Sequence, residues 1–98
     1  MTDKVKIVVD MISTFLPDLE IVIVEDCECI ETPDGFQVFG LYDIENNRIF
    51  IAGENTERDI IFTIFHELFH VYQERTGLKT FERLANIFAN IFCEVLDL

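Results

Sequence analysis

Apolar residues recur at helical spacing over residues 2–16, where Val5, Val8, Val9, Ile12, Phe15 and Leu16 share one side. Thr2 is placed to cap the first turn, and Pro17 stops the helix. The pattern then changes. Residues 20–25 contain a β-branched run, Ile21, Val22, Ile23 and Val24, short enough for a buried strand. Thr32, Pro33, Asp34 and Gly35 signal a turn, and residues 36–42 read as a second strand. Glu45, Asn46 and Asn47 turn the chain again before a third strand formed by Arg48, Ile49, Phe50, Ile51 and Ala52. Such hairpin-like connections predict a small antiparallel sheet.

Helical spacing then returns. Thr56 with Asp59 fits a capping box for a helix that runs to about Thr76 and closes at Gly77. Thr80 is placed to cap a last helix that reaches nearly to the end of the chain. The order helix, three strands, two helices predicts one α+β domain over residues 1–98, with the helices packed on one face of the sheet.

With 98 residues, half of them apolar and ten of those Phe, the chain has the composition of one globular core. No apolar run approaches the roughly 20 residues of a membrane helix, so no membrane partner is expected. Nineteen acidic residues against seven basic ones give a formal charge of −12, which disfavours a nucleic-acid partner. The first segment carries charges inside its apolar stretch and has no small-residue cleavage site, unlike a secretory leader. Cys27, Cys29 and Cys93 cannot all pair within one chain, so reduced thiols and a cytoplasmic location are expected. Cys27-Glu28-Cys29 lacks partner ligands, and all three cysteines read as structural.

Chemistry concentrates in one place. The two histidines both lie in His66-Glu67-Leu68-Phe69-His70, an HExxH pattern. On a helix, positions i and i+4 project from one face, so both imidazoles can reach one metal ion. Glu67 lies about 100° around the helix, within reach of a metal-activated water without being a ligand. A helical wheel places Ile61, Ile64, Leu68, Val71 and Tyr72 opposite the histidines, with Phe65 and Phe69 at the margin, as the core face. The histidine side carries Asp59, Thr63 and Gln73 and is polar.

A catalytic zinc site takes three protein ligands and keeps one position open. With no third histidine, the last helix offers Glu82 and Glu94. Glu82 shares a narrow stripe with Asn86, Ala89 and Cys93, opposite Phe81, Leu84, Ile87, Phe88, Ile91 and Val95, whereas Glu94 sits on a polar flank beside Arg83 and Asn90. Glu82 is therefore the expected third ligand. Asn86, one turn later, is placed to hydrogen-bond a ligand histidine and fix its ring. Ala85 and Ala89 are small enough to let this helix approach the histidine helix closely.

HELFH followed by Glu82-Arg-Leu-Ala-Asn-Ile-Phe-Ala89 resembles the gluzincin metallopeptidases, and E-x-x-A-N-x-F-A within it is similar to the ImmA/IrrE group. Residues 47–52 and the residues from Asp59 up to HELFH are similar too, and the small size resembles the minigluzincins. The resemblance implies one zinc ion per chain held by His66, His70 and Glu82, with Glu67 as general acid/base. It also implies that Arg48, Ile49, Phe50, Ile51 and Ala52 form the rim of the cleft and pair with an extended substrate peptide. A transcriptional repressor is the protein substrate that the ImmA/IrrE likeness implies. Some minigluzincins place a C-terminal segment in the cleft, and here the last helix is expected to end near Leu98 without one. With no further histidine, Tyr42, Tyr72 or a backbone N–H is left to stabilise an oxyanion, and the wheel turns Tyr72 toward the core.

The expected function is zinc-dependent hydrolysis of peptide bonds. Two alternatives share the zinc site: a catalytically silent peptide- or protein-binding module, and a structural zinc domain closed by a fourth protein ligand.

Overall fold

In the computed structural model, which describes residues 1–79 and 81–97, Thr2 accepts a hydrogen bond from the Val5 N–H at 3.3 Å and opens helix α1 (Asp3–Phe15). Val5, Val8 and Ile12 are buried on one side of α1, and Val9 and Leu16 are partly buried against the same core. Phe15, expected on that face, is the last residue of α1 and is 79 % exposed. Strand β1 (Glu20–Val24) follows. The turn at residues 32–35 forms as expected, with Gly35 at φ 89 and the Thr32 hydroxyl accepting from the Phe36 N–H.

The second expected strand is two. It breaks at Phe39: β3 (Gln37–Val38) pairs with β2 (Ile30–Glu31) in a separate ribbon, and β4 (Gly40–Asp43) joins the main sheet. Strand β5 (Arg48–Ala52) lies in the middle of that sheet, whose order is β1-β5-β4. The expectation of an all-antiparallel sheet is corrected here. β4 and β5 are antiparallel, but β1 and β5 are parallel, because the chain crosses over through the β2–β3 ribbon and β4 before it returns beside β1.

The register explains the core. Ile21, Ile49 and Tyr42 form one row across the sheet and Ile23, Ile51 and Gly40 the next, all on the face that meets the helices. Ile49 and Ile51 are fully buried. Helix α2 (Glu57–Thr76) lies on this face and contributes Ile60, Ile61, Ile64, Phe65 and Val71. The Thr56 hydroxyl caps its start by accepting from the Asp59 N–H, and Gly77 ends it at φ 72, in the left-handed region that glycine adopts without strain.

Helix α3 (Glu82–Val95) packs along α2 through Ala85, Ala89 and Cys93, all fully buried. Small side chains at this seam bring the two backbones close, and rings fill in beside it: Phe65 stacks on Phe92 at 4.6 Å, and Phe69 lies 5.0 Å from Phe88. The expected cap residue, Thr80, lies outside the described residues. The other apolar side of α3 faces outward, with Leu84, Ile87, Ile91 and Val95 between 44 % and 73 % exposed. No helix among the described residues is long and apolar enough to cross a membrane.

A polar knot fixes the lower end of α2. Asn47, at φ 52, donates to the Asp18 carbonyl and carboxylate and accepts from Arg75, which also pairs with Asp18 at 3.0 Å. Two turns and the last turn of helix α2, distant in sequence, thus meet at one point.

Candidate metal centre

The HExxH segment occupies the middle of α2, where the sheet stops and α3 crosses. His66 and His70 stand one turn apart, with their Nε2 atoms 3.1 Å from each other. Glu82, the first residue of α3, reaches both: one carboxylate oxygen lies 2.9 Å from His66 Nε2 and the other 3.0 Å from His70 Nε2. Both expected histidine ligands and the expected acid therefore converge on one point. The close seam of Ala85 and Ala89 is what carries Glu82 there.

The other ring nitrogens are engaged as well. His66 Nδ1 lies 2.8 Å from Asn86 Oδ1, and His70 Nδ1 lies 2.9 Å from Gln73 Oε1. An amide oxygen only accepts, so each imidazole donates an Nδ1 proton to it. The two Nε2 atoms then face each other and a carboxylate, and a cation among them, a metal ion or added protons, is what lets these atoms lie about 3 Å apart. Zinc fits this donor set: two imidazoles and a carboxylate are ordinary zinc ligands, and ligand atoms about 2.0–2.1 Å from zinc at a tetrahedral angle lie roughly 3.3 Å apart.

Glu67 completes the cluster. Its ligand atoms and those of the two histidines all lie within 4.8 Å of one another. Glu82, with both oxygens against the imidazoles, is the better third donor for an ion, and that leaves Glu67 beside the point where the three side chains converge. Glu67 is 7 % exposed. Burial pushes its carboxyl above the ordinary carboxylate range; His70 and then His66 oppose the shift, and Glu82 adds to it.

A cleft of about 850 Å³ opens over these residues, bounded by α2, by Glu82 and Asn86 of α3, and by residues 37–42. The strand that borders it is not the expected one. Arg48, Ile49, Phe50, Ile51 and Ala52 form the central strand, with β1 and β4 paired on its two sides, so its backbone has no free edge to offer a peptide. Of the five, only Ala52 lines the cleft. The free edge belongs to β4. The Phe39 carbonyl accepts from the Ala52 N–H, so alternation turns the N–H and C=O groups of Gly40 and Tyr42 away from β5 and out along that edge.

Two features of the site were not read from the sequence. Gln73 belongs to the polar side of α2 on the wheel, yet it is 1 % exposed and touches His70; its position three residues after an expected ligand histidine is the available signal. The role of β4 depends on a non-local pairing order. Tyr42 lines the cleft, whereas Tyr72, expected in the core, is 54 % exposed against Phe69 and lies outside it. Cys27 and Cys29 are half-buried, Cys93 is buried, and among the described residues none joins a metal-ligating group. No family model, curated protein or solved structure matches the chain.

Proposed function

We propose that this chain is a zinc-dependent peptidase of the gluzincin type, with His66, His70 and Glu82 holding the metal. One observation carries this reading: two imidazoles, each with Nδ1 against an amide oxygen, and both oxygens of Glu82 point at one position, next to a buried glutamate and under an open cleft. Zinc held there supplies a Lewis acid that polarises a carbonyl and acidifies a water. The remaining steps fall to the chain's own residues.

β4 binds the substrate. An extended peptide adds to its free edge through the backbone groups of Gly40 and Tyr42, the strand-addition mode. Glu67 takes the proton of the attacking water and delivers it to the leaving amine. Its buried setting favours this role, because a carboxylate that binds protons more readily is a stronger base. Tyr42, at the cleft wall, is the tyrosine placed to stabilise negative charge on the carbonyl oxygen.

The Glu82 side chain is 70 % exposed, which favours an open coordination position over a closed structural zinc site. Three free cysteines suit a reducing cytoplasm as the place of action. A protein substrate, such as the repressor implied by the family likeness, remains part of the proposal. Incubation of the zinc-loaded chain with a mixture of unstructured peptides, beside Glu67→Gln, tests it. Cleavage by the wild type and none by the variant, with zinc retained in both, is expected; equal cleavage by both sinks the mechanism.

A further inference from the structure

We propose that Gln73 is a positioning residue for the metal centre: its amide oxygen fixes the ring and the proton of His70, while its amide nitrogen stabilises the turn after Gly77. The proposal rests on the reading of His66, His70 and Glu82 as metal ligands.

Gln73 is a buried polar side chain, 1 % exposed, with every polar atom used. Its amide nitrogen donates to the Lys79 carbonyl at 3.1 Å. A carbonyl cannot donate, so the nitrogen end of the amide is fixed there and the oxygen end must face His70 Nδ1, 2.9 Å away. The orientation of this amide therefore follows from its partners. The Gln73 backbone carbonyl accepts from the Leu78 N–H at 3.0 Å, so both its main chain and its side chain hold the same turn.

The consequence for His70 is chemical. An oxygen at Nδ1 requires the proton on Nδ1, which leaves Nε2 as the basic atom, facing Glu82 at 3.0 Å. The reverse tautomer would set a bare Nδ1 lone pair against the Gln73 oxygen. Asn86 makes the matching contact to His66 at 2.8 Å, but it is exposed and has no second partner among the described residues. Its oxygen faces the ring, with no second bond to hold the amide in that direction. Of the two amides, Gln73 is the one whose direction is locked.

Residues 71–81 are all that separate His70 from Glu82. Within that short span, the Lys79 carbonyl fixes the course of the turn after Gly77, and Gln73 joins it to the His70 ring. The two ends of the amide do different work: the oxygen positions His70, and the nitrogen holds the turn.

Substitution separates them. Gln73→Glu keeps an oxygen for His70 Nδ1 and loses the donor to Lys79. Gln73→Met keeps the shape and loses both. The metal-free wild type and both variants are titrated with cobalt(II), with affinities from competition against a chelator and melting temperatures measured on the metal-free forms. Gln73→Met is expected to bind cobalt about 10- to 100-fold more weakly. Gln73→Glu is expected to bind at least as tightly as wild type, although its metal-free form melts lower. Loss of affinity in both variants together, in step with stability, overturns the proposal and leaves Gln73 a structural tie. If Gln73→Met does not fold, Gln73→Glu decides alone, and affinity below wild type overturns the proposal. Tight cobalt binding by wild type and Gln73→Met alike overturns it while sparing the metal reading; no cobalt uptake by wild type overturns both.

Discussion

Gly40 on β4 stands so close to Thr63 on α2 that a Cβ built at residue 40 would lie 2.5 Å from the Thr63 methyl carbon, and 3.0 Å from Glu67 Cγ. Glycine is what lets the edge strand lie against the helix that carries the HExxH segment. Gly40→Ala should push β4 away from α2 and cost about 1–3 kcal/mol, the usual range for overpacking. Thr63→Ser removes the opposing methyl and should recover most of that loss in the double variant. Denaturant midpoints of the two singles and the double form the cycle, and simple additivity would show that the two residues do not meet.

Asn47 combines a left-handed backbone with bonds to Asp18 and Arg75. Asn47→Gly keeps the backbone freedom and loses the bonds, whereas Asn47→Asp keeps an acceptor for Arg75 but sets a second carboxylate beside Asp18. The Gly variant should lose about 1–2 kcal/mol, and the Asp variant more. Thermal unfolding of both checks the order. Equal stability in all three chains would mean that the knot does not hold the end of α2.

Glu67 should weaken the metal-free fold at neutral pH. Burial raises its folded-state pKa above the unfolded value, so its contribution to stability is fully present below the ordinary carboxylate range and is lost as pH rises through the raised value. Gln cannot ionise. Metal-free Glu67→Gln should therefore melt above wild type at pH 8, by a few degrees if the gain is about 1 kcal/mol, and the difference should shrink toward pH 4. A difference that does not change with pH would refute the assignment to ionisation.

What could be read from the sequence was what depends on near neighbours. Thr2, Thr56 and Gly77 mark helix ends because a cap is a contact within one turn. The HExxH spacing and the stripe through Glu82 are likewise properties of single helices, and the structure brings those residues together. Pairing order was not legible, since β1 and β5 meet across 23 intervening residues, 25–47, and nothing local marks them as parallel. The rim implied by the family likeness falls on the central strand, and β4 takes its place at the cleft. Solvent exposure misled in two places. Gln73 looks like a surface residue until the Lys79 turn folds over it, and Tyr72, on the expected core face of α2, turns outward.

The most direct test is the zinc content of the chain, purified without a metal-affinity tag, measured by elemental analysis beside Glu82→Ala. Close to one zinc per chain in the wild type, with most of it lost from the variant after dialysis, is the result that the convergence of His66, His70 and Glu82 predicts. A wild-type chain that takes up no zinc even after incubation with it, or a Glu82→Ala chain that holds zinc as tightly as wild type, would contradict the three-ligand site.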